Sequence, residues 1–229
     1  MNRLIILLSV LLWVAGCASN DQQVPPDFRI NTSKQTLDSP SSLMKAVESG
    51  SEELLRSSLL AGDSVNAVFQ GDTPLRIALS QGRGRFVRIL LRAGATPNWA
   101  LQPEQASLLM LASRKGMNEQ VIAFIQQGQD LNYIDTRGWS ALAEASLNGH
   151  LTTANILLDA GAEVDVYPDG ASLLMKLVAD NNMLIVKPML EAGADVNFIA
   201  QSGETALSIA RENQFHELDL MLVQAGARL

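Results

Sequence analysis

A single cysteine, Cys17, excludes any internal disulfide in this 229-residue chain. Histidine is almost as scarce. His150 and His216 are the only two, and neither has a ligand partner at the spacing a zinc site needs. No glycine-rich phosphate loop follows a predicted strand, and Gly82-Arg83-Gly84 reads as a turn between helices. Nothing in the order of serines, histidines and aspartates places a nucleophile beside a base. Paired carboxylates such as Glu52-Glu53 fall on the outer side of a helix and read as a solvated face. Basic runs are missing too, and the net charge is −7, which argues against binding nucleic acid by neutralising its phosphates. The sequence therefore predicts no enzyme, no metal, no cofactor and no small-molecule substrate.

Long apolar runs are also lacking, with one short exception at the start. Met1 to Arg3 are followed by Leu4 to Val14, broken only by Ser9. That is shorter than the roughly 20 residues of a membrane-crossing helix. A basic start, a short apolar core and small residues at its end describe an export signal. Val14-Ala15-Gly16-Cys17 resembles a bacterial lipobox, in which the thiol takes a diacylglycerol and the chain is cut just before it. Cys17 is then the lipidation site and residues 1–16 the signal peptide. Lipidation also explains why an exported chain keeps one unpaired thiol. By the same resemblance, Ala18 after the modified cysteine implies the outer membrane, facing the periplasm. Cleavage leaves 16 of the 17 Lys and Arg against 24 Asp and Glu, a net charge of −8. An acidic chain gains nothing from anionic lipid surfaces, so the lipid alone is expected to hold it at the membrane.

From Cys17 to Pro40 the sequence is rich in Asn, Asp, Gln, Ser and Pro, with Pro25-Pro26 together. Such a segment buries too little apolar surface to offset its ordering entropy, so residues 17–40 are expected to be the lipidated cysteine and a disordered tether. Stretched out, it spans about 75 Å. Val24, Phe28 and Ile30 are its only candidates for docking on the folded part of the chain.

Beyond the tether one pattern dominates. Leu43, Leu75, Leu109, Leu142, Leu174 and Leu207 recur, each followed nineteen positions later by a glycine: Gly62, Gly94, Gly128, Gly161, Gly193 and Gly226. Two residues before each leucine stands a hydroxyl suited to cap a helix: Ser41, Thr73, Ser107, Ser140, Ser172 or Thr205. Pro74 then fits the first helical position. Gly50, Gly82, Gly116 and Gly149 end the first helix in a left-handed cap. Asn181 and Gln214 take that place in the last two repeats. Asn66, Asn98, Asn132, Asp165 and Asn197 open an extended finger to the next repeat.

A period near 33 with Thr73-Pro74-Leu75-Arg76-Ile77-Ala78 resembles the ankyrin repeat, and the resemblance covers residues 41–229. It implies an all-α fold, an ankyrin-repeat solenoid of six helix-turn-helix repeats with short β-hairpin-like fingers. The histidine of the family signature is absent; Met44, Arg76, Met110, Ala143, Met175 and Ser208 replace it. A weaker polar network between repeats is therefore expected, with the methionines packing in its place. Pro188 is expected to kink or shorten its helix, and Pro103 lies in a lengthened finger. Arg211 to Gln214 and the acidic residues of the last repeat are expected to supply a polar end face.

Such arrays bind partners on the side made of fingers and first helices. Here the fingers are apolar: Phe69, Trp99, Tyr133, Ile134, Trp139, Tyr167, Phe198 and Ile199 are the candidate partner-binding residues, because aromatic anchors are enriched in protein interfaces. The same rings could pack finger against finger instead. The expected function is a noncatalytic protein-binding module, anchored by lipid to the envelope, with a protein partner. By analogy with other repeat-built lipoproteins, an inhibitor of a toxic enzyme delivered to the periplasm stays open, as does an assembly or chaperone factor for an envelope enzyme.

Overall fold

The computed structural model describes residues 30–97 and 106–228. Cys17, Val24, Phe28, Trp99 and Pro103 lie outside them. Six helix pairs succeed one another: α1 Ser42–Ser49 and α2 Glu52–Leu60; α3 Pro74–Ser80 and α4 Gly84–Arg92; α5 Leu108–Arg114 and α6 Asn118–Gln126; α7 Ala141–Leu147 and α8 Leu151–Asp159; α9 Leu173–Ala179 and α10 Met183–Glu191; α11 Ala206–Glu212 and α12 His216–Gln224. The expected six-repeat helical solenoid is what the chain forms.

The hydroxyls do what their spacing predicts. At Ser41, Thr73, Ser107, Ser140, Ser172 and Thr205 the side chain accepts a hydrogen bond from the backbone N–H three residues on. The first helices therefore start at one fixed register. They end at one as well: Gly50, Gly82, Gly116 and Gly149 have positive φ, and so do Asn181 at 52° and Gln214 at 59°. Glutamine gains no local hydrogen bond that favours this conformation as asparagine does. The turn geometry imposes it on Gln214 all the same.

Behind the caps, the periodic leucines Leu43, Leu75, Leu109, Leu142, Leu174 and Leu207 are all buried, and one continuous core runs through every repeat. Met44, Met110 and Met175 are buried at the position of the missing histidine, so packing does replace it there. Pro188 does not shorten its helix. Helix α10 has nine residues, as many as α8 or α12. Pro188 removes only the bond to the Leu184 carbonyl, in a turn whose Leu184 side chain is exposed, and the next turn still closes from Ala192 N–H to Pro188 O.

Polar bonds do link the repeats although the signature histidine is missing. Among the described residues, four finger Asn or Asp side chains accept from a backbone N–H some thirty residues on: Thr96 to Asn66 at 2.8 Å, Glu163 to Asn132 at 3.0 Å, Asp195 to Asp165 at 2.8 Å and Arg228 to Asn197 at 2.9 Å. Arg76, standing where the signature histidine would, reaches the Ala106 carbonyl at 2.7 Å. His150 places Nε2 2.9 Å from the Arg114 carbonyl, a structural role. His216 is exposed at the start of α12. Glu52 is less solvated than its neighbour Glu53, being paired with Arg56 and with Arg85 of the next repeat.

The expected tether ends sooner than Pro40. Strand β1, Lys34–Thr36, pairs in parallel with β2, Asn66–Val68, in the first finger. Asn31 donates to the Gly62 carbonyl, and Val65 N–H donates to the Asn31 carbonyl. Ile30 packs on the core, as anticipated for that residue. Three residues with exposed side chains carry no hydrophobic alternation, so backbone pairing alone holds them and their sequence gives no sign of it.

At the far end two positions change character. Arg211 and Asp219 pair at 3.1 Å. Their counterparts are Val47, Leu79, Ser113, Ser146 and Val178 for the first, and Leu55, Val87, Val121, Ala154 and Val186 for the second, all fully buried. The last repeat thus carries the polar end face that the sequence implies.

Candidate functional site

Fingers close as tight turns. Phe69 and Asp72 pair as an antiparallel bridge around Gln70 and Gly71, both at positive φ, the geometry of a primed hairpin turn. Asp135 N–H donates to the Trp139 carbonyl, and Ala200 N–H to the Glu204 carbonyl, closing two further fingers.

In the described fingers the first residue after the Asn or Asp turns inward, and in the last three the second turns outward. Ala67 and Val166 are buried, and Tyr133 and Phe198 are half-buried against the core. The second residues Ile134, Tyr167 and Ile199 are exposed by 46%, 40% and 65%. Val68 occupies the same position in the first finger but is only 7% exposed, its carbonyl taken by Leu37 N–H just past β1. The expected candidates therefore divide. Phe69, Tyr133 and Phe198 pack inward, whereas Ile134, Tyr167 and Ile199 form an outward strip along three successive repeats. Tyr167 serves both purposes, with its ring 4.8 Å from that of Phe198.

Trp139 belongs to a polar network that the sequence does not announce. Its Nε1 donates to Asp169 Oδ1 at 3.1 Å, and the Arg137 guanidinium lies 5.4 Å from its ring centre. Asp169 also meets Lys176 at 3.3 Å. Beneath them Asp135, with 2% of its side chain exposed, accepts from the backbone N–H groups of Arg137 and Trp139 and from the Arg137 guanidinium. Glu144, 4% exposed, receives two bonds from Arg114 of the preceding repeat, at 3.1 and 3.2 Å. These charges sit at positions that read as solvated. The one signal available was the turn Asp135-Thr136-Arg137-Gly138-Trp139, since an aspartate two residues before an amide often folds a loop around itself.

Burial pushes the Asp135 carboxyl up, but the Trp139 amide, the Arg137 side chain and the Arg137 amide outweigh burial and hold it below the ordinary carboxylate range. A depressed carboxylate contributes stability above its unfolded value and loses it as pH falls through the folded one. Asp135→Asn is therefore expected to lower the melting temperature at pH 7. The gap between variant and wild type should close as pH drops below about 4. A gap independent of pH, followed by circular dichroism, would assign the effect to shape rather than charge.

Between the tips of the last two fingers and helices α9 and α11 lies an open groove of about 410 Å³. Met175, Ala179 and Ile209 line it, with Lys176, Asp169 and Glu204. Among the described residues no three His, Cys, Asp or Glu side chains converge as metal ligands, and no helix is long and apolar enough to cross a membrane.

This succession of finger, first helix, left-handed turn and second helix matches known families over the middle of the chain. Residues 70–100 match the ankyrin repeat, and residues 94–167 match a model of three ankyrin repeats. These residues are ankyrin repeats. The same caps and turns continue through both flanking stretches. BCL-6 corepressor-like protein 1 of Homo sapiens is 34% identical over 106 residues, 45% of this chain and 6% of that protein. Ankyrin repeat and KH domain-containing protein mask-1 of Caenorhabditis elegans is 31% identical over 194 residues, 82% of this chain and 7% of its own length. The chain thus spans under a tenth of either relative. Putative ankyrin repeat protein YahD of Escherichia coli is 28% identical over 198 residues, 82% of this chain and 97% of that protein. Ankyrin repeats imply a protein-binding module.

Proposed function

We propose that this chain is a noncatalytic binding module, held at the bacterial envelope by a lipid on Cys17 and facing the periplasm, which grips a protein partner with the fingers of repeats 4–6. The observation that carries the surface is the outward strip Ile134, Tyr167 and Ile199, because isolated apolar side chains are ordinary but a row in register is a docking feature. The lipobox-like run ending at Cys17 and the residue after it, Ala18, support the anchor and its side of the envelope.

Two experiments test the parts separately. Cys17→Ser removes the lipid acceptor, so cells fed an alkyne fatty acid should label the wild type and not the variant. An unlabelled wild type would defeat the anchor. For the surface, Ile199→Ala should leave stability within about 0.5 kcal/mol, since its side chain is mostly solvated. An interface anchor nevertheless contributes ~2 kcal/mol, so partner affinity should fall about thirtyfold. Tyr167→Ala should weaken capture similarly and also cost some stability through Phe198. Trp139→Ala should act mainly on melting temperature, because its partners Asp169 and Arg137 lie within the array. Unchanged capture in both Ile199→Ala and Tyr167→Ala would place the partner elsewhere.

A further inference from the structure

We infer that the strip on repeats 4–6 docks a basic protein segment bearing an apolar side chain; this rests on the finger-side surface proposed above and specifies its partner. Charge is unevenly divided along the solenoid. Residues 30–129 carry ten Lys and Arg against eight Asp and Glu, whereas residues 130–228 carry five against fourteen. One half is nearly neutral and includes Arg83, Arg85, Arg88 and Arg92 on or beside α4. The other holds the apolar strip and a net charge of −9.

The acidic excess falls beside the strip. Glu163 and Asp165 lead into the finger of Tyr167, and Asp195 into that of Ile199. Besides its burial, the fields of Asp165 and Asp195 raise the Tyr167 phenol above its ordinary value, so both carboxylates act at the ring. Neither they nor Glu163 and Glu204 lie within ion-pair distance of a cation among the described residues. The groove beside the strip repeats the pattern, with an apolar lining of Met175, Ala179 and Ile209 and a Glu204 that meets no cation among the described residues. Lys176 offsets little there, being committed to Asp169.

A partner that seats an apolar side chain among these carboxylates must either bring cations or bury uncompensated negative charge, which is costly. An acidic partner would be repelled before contact. A basic one is drawn to this half of the molecule and away from the arginines of α4, so encounter is steered as well as stabilised.

The test uses three synthetic peptides with the same Leu-Xaa-Xaa-Phe centre and flanks of lysine, serine or glutamate, titrated into the ¹⁵N-labelled full chain. The lysine-flanked peptide should shift the amide signals of Ile134, Tyr167 and Ile199 and bind about tenfold tighter than the serine-flanked one. That margin should vanish at about 0.5 M salt, where screening is short-ranged. It should vanish too in the triple variant Glu163→Gln, Asp165→Asn, Asp195→Asn, in which residue 165 keeps the acceptor oxygen used by Asp195 N–H. Equal binding of all three peptides at the strip overturns the basic partner and leaves the finger-side surface standing. Shifts spread over the acidic half without the strip overturn the inference as nonspecific attraction. If no peptide moves the strip, or only second-helix signals move, the inference and the finger-side surface both fall.

Discussion

Gly138→Ala should cost about 3 kcal/mol or more and loosen the last two repeats from the first four. Two penalties add at this position. Gly138 has φ 79°, a conformation that costs a residue with a side chain ~1–2 kcal/mol. An added Cβ would also stand 2.5 Å from the Tyr167 carbonyl oxygen and 3.1 Å from its carbon. Both atoms are backbone and cannot swing away, so the neighbouring finger must retreat. In retreating it would stretch the bond from Asp169 N–H to the Arg137 carbonyl and the one from Trp139 to Asp169. Gly161→Ala is the control, with φ 88° and nothing within 4 Å of the added atom, and it should cost only ~1 kcal/mol. Denaturant melts of the two variants decide the point. Equal losses would show that backbone strain alone matters and that the finger contact is soft. A lower slope for Gly138→Ala would report repeats that no longer unfold together.

Removing Arg114 should be nearly as damaging, and more so than removing its partner. Arg114→Ala leaves Glu144 buried, with Arg137 at 4.0 Å its one remaining cation among the described residues, and stranding a buried charge costs about 3 kcal/mol. Glu144→Gln leaves behind two guanidinium groups that are 39% and 53% exposed. Water can replace the lost partner for both, so the loss should stay nearer 1 kcal/mol. The asymmetry is the measurable quantity. If urea midpoints show Glu144→Gln to be the worse variant, the glutamate is holding loop geometry rather than needing a counter-charge.

These two sites also mark where reading the sequence stops. The period, the caps and the turns were legible because each is written by one residue acting on its own backbone: a hydroxyl on an amide three residues on, or a glycine at positive φ. Even Asn181 could be read this way. The ladder of finger asparagines was half legible, since the residues stood in register but the donors they meet are backbone groups some thirty residues on. Asp135 and Glu144 were not legible. A charge reads as solvated unless something covers it, and for these two the cover is supplied by tertiary packing. The docking of residues 31–37 was hidden for a related reason, because backbone pairing leaves no mark on side-chain pattern. Among the aromatic candidates the sequence could name the finger positions but could not decide which way each side chain turns. That depends on the residue's place after the finger Asn or Asp, and only the folded finger reveals the alternation.

The ion pair between Arg211 and Asp219 gives the last described repeat a face that resists stacking. A second molecule approaching end-on, or a further repeat grafted there, would have to dehydrate a guanidinium and a carboxylate at two places where every inner repeat is fully buried and carries no charge. The pair therefore works as edge charges do on a β-sheet, deterring growth without forbidding folding. Lengthening this protein by design would begin with restoring valine at both positions. Until then the fused repeat should hang beside the array as a separate, poorly folded unit instead of joining its cooperative melt.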